Sequence, residues 1–294
     1  MSDLDAIQQL AAQLERIAGA LEGGTAASVE APLDDALAWR WESYTGLLGP
    51  VGRLVPVEEP NLIAFADLQN VARQKSLIKQ NTRQFVAGRP ANNVLMTGAR
   101  GTGKSSLVRA CLHAFHTQGL RLIEVDKEHL TDLPRIVGRI RREPFKFIIF
   151  CDDLTFDEGE YGYKNLKTVL DGSVAGSASN VLVYATSNRR HLLPEHESDN
   201  RSYSRDEDGE LHPGDVVEEK ISLSERFGLW ITFYSFSQDE YLTAVRQWLA
   251  VFGGGELDED ARLLALQWAI QRGSRSGRVA MQFARDHAGR LSLR

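Results

Sequence analysis

The sequence predicts an α/β sandwich. A central parallel sheet of about five strands carries helices on both faces, with a small helical region before it and a helical lid after it. Three observations carry this reading. Apolar runs recur at Asn93–Thr97, Arg121–Val125, Phe147–Cys151, Val181–Thr186 and Leu229–Phe233. Several are continuous rather than alternating, as strands covered on both faces require. Helical stretches separate them and complete βαβ units, and from Ser235 onward the pattern is purely helical.

The elements follow in order. Residues 1–60 read as a small helical region and a linker. Leu4, Ile7, Ala11, Leu14, Ala18 and Leu21 form one apolar stripe close to a heptad seam. Two uses of it stay open, packing against the chain's own next helix or a short coiled coil. A second helix is expected over Leu33 to Tyr44, carrying Trp39 and Trp41, and Gly46 to Pro60 reads as irregular linker. Residues 61–234 form the α/β domain. A polar, acid-rich segment interrupts it at about 194–220. It can bury little and reads as a mobile surface insertion. Residues 235–294 form the lid. Ser237-Gln-Asp-Glu240 is a capping-box signature opening its first helix, and further helices are expected over Leu257 to Gln271 and Gly277 to His287.

The chain has 294 residues and is 43% hydrophobic, enough for a sizeable core. A net charge of −6 argues against a broad electrostatic grip on nucleic acid and leaves room for a local basic patch. Its two cysteines, Cys111 and Cys151, fall in core elements and read as reduced thiols. The N-terminus is acidic, and no apolar run approaches a membrane span, so a soluble cytoplasmic protein is expected.

Gly98-Ala99-Arg100-Gly101-Thr102-Gly103-Lys104-Ser105 matches the phosphate-binding pattern G-x-x-x-x-G-K-[ST], with Ser106 following. A strand precedes it and a helix follows, which makes the sandwich a P-loop NTPase. Glycines let the backbone approach a phosphate, and the loop's N–H groups converge on the anion at a helix N-terminus. Lys104 is expected to reach the β- and γ-phosphates of ATP, and Ser105 to hold Mg2+. Phe147-Ile-Ile-Phe-Cys-Asp152-Asp153 ends an apolar strand in two carboxylates. Asp152 fits support of Mg2+, and Asp153 fits orientation or deprotonation of the attacking water. Asn188 follows the next strand and reads as a hydrogen-bond partner of the γ-phosphate or the water. Arg226 precedes the fifth strand and has two readings, a surface ion pair or an arginine finger. Arg278 opens the last helix, where its charge opposes the macrodipole, and so fits a role reaching back to nucleotide.

This ordered set resembles the AAA+ ATPases, with Walker A at Gly98–Ser105, Walker B at Asp152-Asp153, sensor 1 at Asn188, arginine finger at Arg226 and sensor 2 at Arg278. More narrowly, Pro90-Ala-Asn-Asn-Val-Leu95, Phe150-Cys-Asp-Asp-Leu-Thr-Phe156 and Tyr184-Ala-Thr-Ser-Asn-Arg-Arg-His-Leu192 resemble a bacterial stand-alone AAA+ group known only as an ATP-binding family of unknown function. The resemblance runs from about Leu62 to Ala288. It implies homo-oligomers, ring or helical, whose finger serves the neighbour's nucleotide, and an adenine contact near Ala64–Gln74. It implies Mg2+-ATP hydrolysis to ADP that remodels or loads a protein or nucleoprotein client. Two departures stand out. The usual second acid is glutamate, and here it is Asp153, with Glu158 nearby. The stretch Asp126–Asp132 lacks the aromatic of a threading pore loop, and Tyr161-Gly-Tyr163 reads either as a substitute or as a tight helix start.

These departures keep a second function in view, a nucleotide-gated adaptor or switch with slow or no hydrolysis. A small-molecule P-loop kinase leaves Arg226, Arg278 and the C-terminal helices unexplained. His191-Leu-Leu-Pro-Glu-His196 lacks zinc-protease spacing, and Pro194 would disturb the helix such a motif needs.

Overall fold

The computed structural model describes residues 32–46, 49–156, 162–171, 178–189, 192, 204–205, 211–212 and 223–291. Its elements are β1 (Ala38–Gly46), β2 (Gly49–Pro56), α1 (Ala72–Val86), β3 (Val94–Gly98), α2 (Lys104–Phe115), β4 (Leu120–Glu124), α3 (Leu133–Ile140), β5 (Lys146–Cys151), α4 (Gly162–Asp171), β6 (Val181–Ser187), β7 (Ser204–Arg205), β8 (Leu211–His212), β9 (Leu229–Phe233), α5 (Gln238–Phe252), α6 (Glu259–Gln271) and α7 (Gly277–Leu291).

The five expected strands are all present, as β3, β4, β5, β6 and β9. They run parallel within a seven-stranded sheet of order β2-β1-β4-β5-β6-β3-β9. The central strands are buried along nearly their whole length, which is why they read as continuous apolar runs. Helices α1 and α2 cover one face, around Ile78, Leu107, Met96 and Tyr184. Helices α3 and α4 cover the other, around Ile136, Leu166, Ile149 and Phe156. The three helices after β9 hold a separate core of their own, centred on Tyr241, Ala265 and Ala280.

The structure corrects the reading of residues 33–60. The expected helix from Leu33 to Tyr44 is strand β1, and the expected linker contains β2. The two pair antiparallel, Trp39 opposite Pro56 through Gly46 opposite Gly49, and β1 joins β4 in parallel. This adds two strands to the expected five. The physical reason is a period of two. Trp39 and Trp41 point to the same face and are both buried in one core layer, while Ala38 enters the other. Trp41 also donates its indole N–H to Asp132, 2.9 Å away. Gly52 lies against its ring, where a Cβ would come within 2.0 Å of the indole.

The helix over Leu4 to Leu21 lies outside the described residues. So does most of the acid-rich segment at 194–220, of which the described part is an antiparallel pair, Ser204 opposite His212 and Arg205 opposite Leu211. Among the described residues no helix is long and apolar enough to cross a membrane.

Candidate nucleotide site

The C-terminal ends of three neighbouring strands converge on one spot. Strand β6 lies between β5 and β3, level with both. This order brings the loop after β3, the two acids after β5 and the asparagine after β6 together.

The loop's shape depends on glycine at two positions. Gly98 has φ 117°, and a Cβ there would fall 1.9 Å from the carbonyl oxygen of Phe233, the last residue of β9. Gly103 has φ 101° and hands the chain into α2. The Ala99 N–H donates to the Phe233 carbonyl at 3.1 Å, and Thr102 Oγ1 donates to the Ala99 carbonyl at 2.8 Å. The first turn of α2 therefore points at the space above the loop, with Lys104, Ser105 and Ser106 at its start.

Lys104 is 6% exposed. Its ammonium donates to the carbonyls of Gly98 and Ala99, each at 2.8 Å, and to Asn188 Oδ1 at 3.0 Å. Burial lowers its pKa, and Asp153 and Asp152 act in the opposite sense. Arg100 and Arg278 also press it downward, which places both guanidinium groups in the electrostatic field of the same site.

Ser105 Oγ donates to Asp152 Oδ1 at 2.7 Å. Thr186 Oγ1 donates to the same oxygen at 2.5 Å and accepts the Asp153 N–H at 2.8 Å. Asn188 Nδ2 donates to Asp153 Oδ1. Asp153 itself sits at φ 50°, a left-handed conformation in which Asp and Asn are enriched and longer side chains are not. Thr186 was missed by sequence reasoning. Its position two residues before Asn188 is the signal, but its use depends on β6 lying next to β5.

The C-terminal helices contact the loop. The Arg278 N–H donates to the Gly101 carbonyl at 3.2 Å, and the Phe236 N–H donates to the Arg275 carbonyl at 3.2 Å. Gly101, at φ 73°, leaves room for this, since a Cβ would lie 2.8 Å from Ser276 Oγ and 3.1 Å from Arg278 Cβ. The segment before α1 ties in as well. Asn70 Nδ2 donates to the Glu240 carbonyl at 2.8 Å, and Gln247 Nε2 donates to the Asp67 carbonyl at 3.1 Å. Sequence reasoning did not anticipate these two contacts, which join distant parts of the chain.

Arg226 does not join this cluster. Leu229 at the start of β9 is level with Val94 at the start of β3. Arg226 therefore lies at the sheet edge opposite the loop, five strand residues or roughly 16 Å away. It pairs with Asp171 at the end of α4, Nε to Oδ1 at 2.7 Å.

A family model described as "Protein of unknown function (DUF815)" matches residues 34–291. The chain belongs to the DUF815 family. No curated protein matches it. Among solved structures, this DUF815 protein is similar to a RuvB mutant of Thermotoga maritima, at 16% identity and a TM-score of 0.50 over 77% of this chain and 64% of that one. It is also similar to the ORC1 protein of Aeropyrum pernix in complex with DNA, at 14% identity and a TM-score of 0.51 over 76% and 60%. The DUF815 chain thus spans less than two thirds of the length of either protein. At these identities the likeness speaks for the fold, which is that of the P-loop AAA+ ATPases.

Three of the sequence readings lie partly or wholly outside the described residues. Tyr163 and Gly162 open α4, whereas Tyr161 and Glu158 are not described. Of His191 to His196, only Leu192 is described.

Proposed function

We propose that this DUF815 protein is an ATPase that binds Mg2+-ATP at Gly98–Ser106 and hydrolyses it to ADP and phosphate. The observation that carries the reading is the single cluster formed by Lys104, Ser105, Asp152, Asp153 and Asn188 across three strand ends. Its donors suit the ligands. Backbone N–H groups at a helix start suit phosphate. A hydroxyl beside a carboxylate suits Mg2+, which favours oxygen ligands, few of them from protein.

Each residue has a separate task. Lys104 turns from the loop carbonyls to the β- and γ-phosphates. Ser105 and Asp152 hold the metal side. Bound Mg2+ supplies neutralisation of charge developing on the phosphoryl oxygens. Asp153 orients a water for attack on the γ-phosphorus and takes its proton, and Asn188 holds the Asp153 carboxylate in place. Arg278 reaches the phosphates from the lid. Arg226, at the opposite sheet edge, completes the site of a neighbouring copy in a homo-oligomer, where a guanidinium stabilises charge on the transferring group. The work done on a client, protein or nucleoprotein, follows from movement of the helices that Arg278 ties to the loop.

The test is Mg2+-dependent hydrolysis by the parent chain, Lys104→Ala and Arg226→Ala over a range of protein concentration. The parent rate per subunit should rise with concentration. Lys104→Ala should lose binding, and Arg226→Ala should lose about a thousandfold in turnover at unchanged ATP affinity. Equal residual rates in all three would overturn the reading. A second reading, a nucleotide-gated switch with slow turnover, is favoured by the short Asp153 side chain and by the Asp171 pair that engages Arg226. Tight ATP binding with negligible turnover even in the assembled state supports it.

A further inference from the structure

From Leu68 to Ile123 the chain runs 56 residues without an aspartate or glutamate, and that stretch holds nine of its 34 lysines and arginines. The remaining residues carry a net charge of −15, against −6 for the whole chain. The stretch folds into α1, β3, α2 and most of β4, and the two helices pack together on one face of the sheet.

Within it, α1 is divided sharply. Ile78, Asn81, Thr82 and Phe85 are its buried residues. At about 100° per residue, Arg73, Ser76, Lys79, Gln80 and Arg83 fall together on the opposite side, within an arc of roughly 120°. All five are exposed, and exposed Arg89 extends the row past the helix end. A solvated surface helix ordinarily mixes both signs. Here Lys75 and Lys79, and Lys79 and Arg83, are like charges four residues apart, and Arg73 opposes the macrodipole at the helix start. Among the described residues none of Arg73, Lys79, Arg83 and Arg89 is in a salt bridge. The carboxylate of the neighbouring turn, Asp67, accepts the Ala64 N–H instead.

We propose that this face of α1 binds the phosphate backbone of a nucleic-acid duplex. Its side-chain types, arginine and lysine interleaved with serine and glutamine, are those that contact phosphate oxygens. The cations from Arg73 to Arg83 span about 15 Å of helix, enough for several successive phosphates. A protein partner would need an apolar or aromatic centre, and the exposed residues of α1 include no large apolar side chain. A single strand would need open aromatic rings for stacking; no residue of the face is aromatic, and the half-buried ring of Phe65 beside it is covered by Lys79, 5.5 Å from its centroid. The contact reads charge and shape, not base sequence. It stands apart from the ATPase reading, because Lys79, Arg83 and Arg89 take no part in the candidate nucleotide site.

The test is fluorescence anisotropy of a labelled DNA duplex, the matching RNA duplex, a DNA single strand and poly-glutamate, each over a salt series. The comparison is the full chain against a Lys79→Gln/Arg83→Gln/Arg89→Gln variant, glutamine being as good a helix former as the residues it replaces. Either duplex should bind the parent more tightly than the single strand does. The variant should weaken duplex binding about tenfold or more and flatten the salt slope by about 0.9 per lost phosphate contact. Its thermal melt and basal ATPase rate should match the parent. Duplex binding that is absent, or the same in both proteins, overturns the proposal. So does poly-glutamate binding that the variant loses while no duplex binds, which points to an acidic protein partner. A parent chain without ATPase activity leaves the proposal standing, since binding is read without turnover.

Discussion

Thr186 is the residue on which the two acids depend. Its hydroxyl donates to Asp152 and accepts from the Asp153 backbone, and it is 1% exposed. Thr186→Val keeps the shape and removes both bonds. The Asp153 N–H is only partly buried, so leaving it without its Thr186 partner costs about 1 kcal/mol, the low end for an unsatisfied donor, and in a chain of this size Tm falls by roughly 2–4 °C per kcal/mol. Calorimetry should show that fall in Thr186→Val and little change in Thr186→Ser, and ATP turnover should follow the same order. An unchanged Tm in Thr186→Val would count against the linking role. The same logic explains Asp153. At φ 50° the backbone favours a short polar side chain. Asp153→Asn should therefore fold normally, bind ATP and fail to hydrolyse it. Asp153→Glu should lose about 1 kcal/mol of stability in urea titration. Both acids were legible in the sequence, because an apolar run ending in two carboxylates is a local pattern. Thr186 was not, because its partners lie on a different strand and only the sheet order joins them.

At the scale of elements, helix α7 and the loop after β3 meet at Gly101. The position is restricted twice, by φ 73° and by Ser276 Oγ, which would lie 2.8 Å from a Cβ there. Ser276 also accepts the Val279 N–H at 3.3 Å, so it is held at the start of α7 and cannot simply turn away. Gly101→Ala should push α7 off the loop. We expect ATP affinity to fall about tenfold, or about 1.4 kcal/mol, by titration calorimetry. Gly253→Ala is the matched control. It has a similar φ of 68° at the end of α5 and nothing within 4 Å of its Cβ. It should lower Tm and leave ATP affinity alone, and an equal loss in both variants would show that backbone strain, not docking, sets the effect. The lid helices were legible because capping signals and a period near 3.6 are local; the box at Ser237 and Glu240 is present in both directions. The hairpin β1–β2 was not. Its joining residues, Leu47-Leu48, lack the Asn-Gly or Asp-Gly signal of a tight turn. Trp39 and Trp41 alternate over too few residues to outweigh a helical reading, and what settles the strand is pairing with β4, more than eighty residues away.

Across the whole molecule, ionisable groups are buried in each of the two layers that sandwich the sheet. Cys151 lies in the α3–α4 layer and Cys111 in the α1–α2 layer, and burial pushes both thiols up to about 12. In the same layer as Cys111, burial raises the Tyr184 phenol, whose hydroxyl meets Thr82 at 2.8 Å. In the lid, burial takes Tyr241 to about 12. All four are acids whose folded pKa exceeds the unfolded one. Their neutral forms are therefore held at no cost below about pH 9, and above it the unfolded chain releases protons that the folded chain retains. Stability falls as pH rises from about 9 toward 12, by up to about 1.4 kcal/mol per pH unit for each group. Lys104 has the opposite sign. Burial lowers its pKa, so the folded state loses that proton first and its contribution grows with pH. One group cannot offset four. Urea midpoints measured at intervals from pH 8 to 12 should stay level at first and then drop with increasing slope, and a Cys111→Ala/Cys151→Ala variant should drop less steeply. At pH 8 a thiol reagent should modify neither cysteine until urea unfolds the chain, and then both together. Early modification of Cys151 alone would mean that the α3–α4 layer opens independently of the rest of the sandwich.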